Sequence, residues 1–299
     1  MDMAIKKALI RLTPFLLIPT LCHAQNSQWV EWIADLQASY SEVNNLNYSA
    51  FSNDQENDSR LGVSAVFGRF YQFSGNTRMN LAVELAAHRY DSFSKMNSSE
   101  VGVNFGLRHK FGLGHHIPYL QFNTSYRHQE VDADPWSNDT FELDLEIGKH
   151  FTDSLSLAAS VSYSSMDGKA GPVIVPDLSS QVFDQDFWQV SFYADYILSQ
   201  DWLVSLGYGR REGDFHSACT PENVSKVLET MQVKAITSDE IFGGCVYQLD
   251  GSNNIYSAGL SYALNNHSAL NLSVEFYQGS ADALDYHGSN VQFSYNYRF

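Results

Sequence analysis

Asn290-Val-Gln-Phe-Ser-Tyr-Asn-Tyr-Arg-Phe299 closes the chain, and its alternation decides the architecture. Val291, Phe293, Tyr295, Tyr297 and Phe299 are apolar or aromatic at every second position, with Gln292, Ser294, Asn296 and Arg298 between them. Successive side chains of an extended strand point to opposite faces, so this segment has one greasy face and one wet face. The same metre recurs upstream. It predicts strands near 28–40, 59–73, 77–90, 99–111, 117–128, 139–151, 154–165, 186–198, 201–213, 254–264, 267–278 and 288–299. Each has about the 9–11 residues of a tilted membrane strand, or a little more.

Connections alternate long and short. Ser74-Gly75-Asn76, Gly112-Leu113-Gly114 with His115 and His116, Thr152-Asp153, Ser199-Gln200 and Asn265-Asn266 are turn chemistries. Segments 41–58, 91–98, 129–138, 166–185, 214–253 and 279–287 are longer and rich in Asp, Asn, Ser and Gly. Beyond the N-terminus no run approaches the roughly 20 apolar residues of a membrane helix. A membrane reading therefore requires a closed barrel, because the bilayer tolerates only helices or sheets without edges. A mean hydropathy slightly on the polar side fits strands of which half face a polar lumen.

The terminal strand, with Phe299 as its last residue, resembles the closing strand of Gram-negative outer-membrane β-barrels. That resemblance implies an all-β, up-and-down antiparallel transmembrane barrel of about twelve strands in the cell outer membrane. It also implies that Val291, Phe293, Tyr295, Tyr297 and Phe299 form the signal read by the barrel-insertion machinery. With both termini periplasmic, an even strand count places every short turn inside and every long loop outside. A monomer in contact with outer-membrane lipid and lipopolysaccharide is expected. The faces sort accordingly. Phe73, Phe111, Phe151, Trp202 and Phe299 make one interfacial girdle, and Tyr40, Tyr90, Tyr126, Tyr163 and Tyr208 the other. A soluble sandwich or lipocalin-like barrel would bury its apolar face and need no girdle.

Lys6, Lys7 and Arg11 precede the apolar run Leu12–Leu21, which ends in Cys22-His23-Ala24, so 1–24 reads as a cleavable signal peptide and 25–299 as one barrel domain. Losing those three cations and Asp2 moves the net charge from −16 to −18. That balance argues against nucleic acid. Cys219 and Cys245 are then the only cysteines, and an oxidising compartment predicts a disulfide.

The inner face carries the charges. Glu142, Asp144 and Glu146 stack along one strand, with Arg108, Lys110 and Arg127 on the two strands before it. Two readings stand: an ion-pair network bracing the wall, or a cation-preferring lining for a small polar solute. The mixed sign is unlike the basic linings of twelve-stranded acidic-sugar channels. At the outer mouth the hairpin count sets His88 opposite Glu100, with Arg60 beside them, either as a polar plug or as a pH-sensitive or catalytic pair.

The chain reads as a narrow passive pore, or as a structural surface protein with a filled lumen. The alternative is an outer-membrane hydrolase acting on lipid or peptide at the extracellular mouth. Asp214 with His216 and Asp285 with His287 are spaced for such chemistry, and His109 lies on the lipid face. No Gly-x-Ser-x-Gly, His-Glu-x-x-His or four-cysteine spacing appears, so no catalytic residue, metal or cofactor is assigned. The longest connection, 214–253, is the least loop-like. Thr220-Pro221-Glu222 is a helix start, and Val224, Val227, Leu228 and Met231 follow at helical spacing. A helix with an apolar stripe must bury it, so this insert plugs the pore, caps the mouth or meets a partner.

Overall fold

The computed structural model describes residues 27–281 and 284–299. The signal peptide predicted at 1–24 lies outside them. Twelve long strands form the barrel: β1 (Gln28–Asn44), β2 (Asp58–Gln72), β3 (Thr77–Tyr90), β4 (Ser98–Lys110), β5 (Tyr119–Val131), β6 (Asn138–His150), β7 (Leu155–Gly168), β8 (Gln185–Ile197), β9 (Trp202–Cys219), β11 (Cys245–Asn265), β12 (Ser268–Ala281) and β13 (Leu284–Arg298). Each pairs antiparallel with its neighbour in sequence, β9 pairs with β11, and β1 pairs with β13. Every long strand thus has two partners and the barrel has no free edge. The thirteenth strand, β10 (Ala235–Ser238), lies beside the outer tip of β11, on the side that β12 vacates beyond Ser252.

The wall is apolar on the outside. Phe67, Trp32, Trp188, Leu85, Ile147, Phe192 and Phe276 are all more than half exposed, as are many residues flanking them. Soluble monomers rarely expose contiguous apolar surface on this scale. It is the face that hydrocarbon covers. Buried apolar residues, by contrast, lie mainly at the long-loop end, in two clusters described below.

The observed strands overrun their predicted ends at that same end. β1 reaches Asn44, β9 reaches Cys219, and β11 begins at Cys245, so nearly half of the segment expected as one loop from 214 to 253 is paired strand. The 279–287 connection likewise shrinks, because β12 runs to Ala281 and β13 starts at Leu284. Apolar alternation stops where the membrane stops, whereas backbone pairing continues into water. Tyr90, expected in the outer girdle, falls on an inward position of β3; Tyr40, Tyr126, Tyr163 and Tyr208 face outward.

Candidate lumen and its capped mouth

Glu142, Asp144 and Glu146 all face inward on β6, and each is held differently. Arg127 Nη2 lies 3.2 Å from Glu142 Oε2, and Arg127 Nη1 lies 4.0 Å from Glu100 Oε1. Asn123 Nδ2 donates to Asp144 Oδ1 at 3.0 Å, and Gln121 in turn donates to Asn123 Oδ1 at 3.0 Å. The Tyr119 hydroxyl donates to Glu146 Oε1 at 2.8 Å, while the Arg108 guanidinium lies 3.6 Å from the centroid of the Tyr119 ring. Arg127 therefore meets the carboxylates directly and Arg108 meets them through Tyr119. Among the described residues Lys110 forms no ion pair with them. Tyr119 was not foreseen: its inward register is set by pairing with Gly148, whose Cβ, if present, would fall 2.4 Å from the ring.

The expected mouth cluster is displaced by one rung. His88 pairs with Ser98, and Glu100 stands opposite Ala86. The 91–97 connection tightens into a 3-10 turn at Ser94–Met96, and this sets the β3–β4 register two residues away from the hairpin count. Glu100 turns to Arg127 instead. His88 leans over Gly62, where a Cβ would come within 2.9 Å of its Nδ1. Arg60 lies 6.0 Å from the centroid of the Tyr90 ring and, with Glu275, Tyr48, Tyr277, Trp136 and His216, lines a cavity of about 190 Å³ at the outer end of the lumen.

Above that cavity the mouth is capped. Pro221–Asn223 is a 3-10 turn leading into α1 (Val224–Thr230), as Thr220-Pro221-Glu222 foretold. Val227 and Met231 are buried with Tyr247, Leu249 and Tyr286, and Val224 packs against them, but Leu228 points outward and is 39% exposed. A disulfide joins Cys219 to Cys245, directly opposite each other on β9 and β11.

The stapled insert, 220–244, touches the other loops one by one. Asp54 of the 45–57 loop accepts from Thr220 Oγ1 at 3.1 Å and from Asn223 Nδ2 at 2.7 Å. Lys95 of the next loop pairs with Glu240 at 2.7 Å. Trp136 Nε1 donates to Asp239 Oδ1 at 3.2 Å. Val173 and Ser179 form single β-bridges with Thr237 and Ala235. Across the centre the rings of Trp136 and Phe183 lie 4.6 Å apart, those of Phe183 and His216 5.0 Å, and those of Tyr48 and His216 5.8 Å. These five connections thus share one apolar seal, and of the three roles open to the insert the geometry is that of a cap.

His216 sits in this seal, above the apolar belt. Enclosure among the rings, aided by the Arg211 charge, lowers its pKa to about 4, so it is neutral. Gln185 Nε2 lies 3.0 Å from its Nδ1, in place to donate to a bare nitrogen. Burial raises the Asp239 carboxyl above its ordinary range, against backbone donation from Ile241 and Phe242.

Two of the residues spaced for hydrolysis, Asp214 and His216, have their side chains engaged elsewhere. Asp214 is ion-paired with Lys234, and His216 is held by Gln185, so the two do not bond each other. The His287 carbonyl accepts from Asn45 Nδ2 at 2.7 Å, and Asp285 pairs across the hairpin with Ser280. His109 does have a hydroxyl beside it: Thr77 Oγ1 lies 2.7 Å from its Nδ1, placed there by the β3–β4 register.

No family model and no curated protein matches the sequence. Among solved structures the chain is similar to an outer membrane channel from Pseudomonas putida F1, with a TM-score of 0.50 and 9% identity over 93% of this chain and 100% of that one. It is also similar to the CymD monoaromatic hydrocarbon channel, with a TM-score of 0.47 and 9% identity over 91% and 89%. For the NanC porin the TM-score is 0.46, with 8% identity over 89% and 100%. With its closed ladder, outward apolar belt and polar interior, this chain has the fold of a twelve-stranded outer-membrane β-barrel.

Proposed function

We propose that the protein is a narrow passive pore for small polar solutes, its outer mouth closed by the stapled insert. The supporting observation is the contrast between the two ends of the lumen. Along the wall, Glu142, Asp144 and Glu146 are paired or hydrogen-bonded around polar space, including a cavity of about 240 Å³ beside Glu142 and Asp144. At the mouth, one insert fastens the loops of four other hairpins and seals them with aromatic rings. A second reading, a surface protein with a permanently filled mouth, draws on the same two apolar clusters.

Single-channel recording of the refolded barrel in a planar bilayer, with and without thiol reductant, separates the two. The pore reading expects openings that become longer or more frequent when Cys219–Cys245 is reduced. Silence in both conditions would transfer the proposal to the filled-mouth protein. In the same bilayers Arg127→Gln leaves Glu142 and Glu100 without their cation. One uncompensated charge at about 4 Å in water is worth about 1 kcal/mol, about fivefold in local cation concentration. The reversal potential in a salt gradient should shift toward cation preference accordingly, and Glu142→Gln should shift it the other way.

A further inference from the structure

At the opposite, short-turn end, two neighbouring connections bring together side chains that no sequence spacing linked. His115 and His116 belong to the β4–β5 turn, Asp153 to the β6–β7 turn, and one ligand atom from each, an imidazole nitrogen or a carboxylate oxygen, lies within 4.8 Å of the other two at the exposed surface. We propose that His115, His116 and Asp153 form a binding site for a divalent transition metal of the zinc class at the periplasmic rim.

His116 anchors the set. Its Nδ1 lies 3.1 Å from the carbonyl oxygen of His150, an acceptor only, so Nδ1 carries a proton and donates it. Nε2 is then free to offer a lone pair. Such a backbone-anchored imidazole is the usual outer-sphere arrangement of a metal-ligating histidine. The free Nε2 faces Asp153 Oδ1 at 3.4 Å. A charge-assisted hydrogen bond would draw the pair to about 2.7–2.9 Å. Ligand atoms about 2.0–2.2 Å from a tetrahedral zinc ion stand roughly 3.3–3.5 Å apart. The separation matches two ligands of one cation better than it matches an ion pair.

His115 completes the set from the adjoining position. Its ring stacks on His150 with centroids 4.1 Å apart and an interplanar angle of 15°, and lies edge-on to His116 at 5.2 Å. Two imidazoles and one carboxylate suit zinc, nickel or copper. Calcium and magnesium require oxygen ligands and are not matched. One coordination position stays open to water, and the bound ion would tie two adjacent turns together.

Calorimetric titration of chelator-stripped, refolded barrel with Zn²⁺ tests the site. The expected result is one Zn²⁺ per chain, weakened at least about tenfold by His116→Ala and by Asp153→Asn, since loss of even an outer-sphere partner costs that much. His128→Ala, which removes the other surface His–Asp contact, at 2.9 Å to Asp139, should leave the affinity unchanged. The migration difference between heated and unheated samples on electrophoresis confirms that each variant is still a closed barrel. Absence of Zn²⁺ binding, equal binding by wild type and the His115→Ala/His116→Ala chain, or equal competition by Mg²⁺ would each overturn the proposal.

Discussion

His216 illustrates how far a single side chain can be read. In the sequence it stands two residues from Asp214, a spacing open to hydrolytic chemistry, whereas the fold sets its ring among Trp136, Phe183 and Tyr48. Its folded-state pKa of about 4 lies below the ordinary 6.5. The unfolded cap therefore binds the extra proton first. The stability that neutral His216 lends is fully present above about pH 6.5 and is lost as pH falls toward about 4, by up to roughly 3 kcal/mol. Asp239, whose carboxyl is raised by burial, works in the opposite sense at the acid end. Protease nicking of the 220–244 insert should thus rise between pH 7 and pH 5, and His216→Gln should flatten that dependence. A nicking rate independent of pH in the wild type would contradict the assignment. The luminal trio was more legible. Glu142, Asp144 and Glu146 followed from period-two counting alone, because the rung-to-rung register of β5 and β6 agrees with the alternation of both strands.

For whole elements, legibility ended with the apolar belt. All twelve barrel strands were foreseen, yet the outer extensions of β9 and β11 were read as loop because Asp214, Ser217 and Gln248 break the apolar rhythm while the backbone ladder runs on to Cys219 and Cys245. Gly213 marks the transition. It has φ +127°, and a Cβ there would fall 2.4 Å from the Asp186 carbonyl, so the strand bends where β8 leaves it and β9 continues into the cap. β10 escaped notice because Ala235–Ser238 is too short to show a period. The disulfide closes the insert at its base, and such a crosslink is worth about 2–4 kcal/mol through the loop it constrains. Cys219→Ser/Cys245→Ser should therefore make 220–244 the first site of proteolysis while the barrel remains resistant. Cutting of the barrel strands at the same rate would show that the staple supports the whole fold, not the cap alone.

Across the whole molecule the two faces of the wall predict opposite tolerance. Val190 faces hydrocarbon on β8, and Ser162 faces the lumen on β7, opposite Asp144. Val190→Arg should destabilise the barrel by about 2–4 kcal/mol, the cost of an arginine near the bilayer midplane. Ser162→Arg should be much milder, because the new cation meets a carboxylate in water. Urea unfolding of both variants in lipid vesicles checks the ordering. What the sequence left unread at this scale was the mutual fastening of the loops, since contacts such as Lys95–Glu240 join segments with no common period.

The ladder between β1 and β13 has a further consequence. Its rungs run from Asp35–Arg298 to Asn44–Ser289, and side-chain bonds at both ends, Arg298 to Asp35 and Asn44 to Ser289, join residues 263 and 245 positions apart. Every other rung of the cylinder links hairpin neighbours or the two arms of the stapled insert, which can zip locally. This one cannot form until the two extremities of the described chain meet, so it bears the largest loop-closure cost and comes late. Until then the half-built sheet has two sticky margins, at Gln37 and at Gln292. Whatever shields those margins during biogenesis must occupy this seam and then yield it.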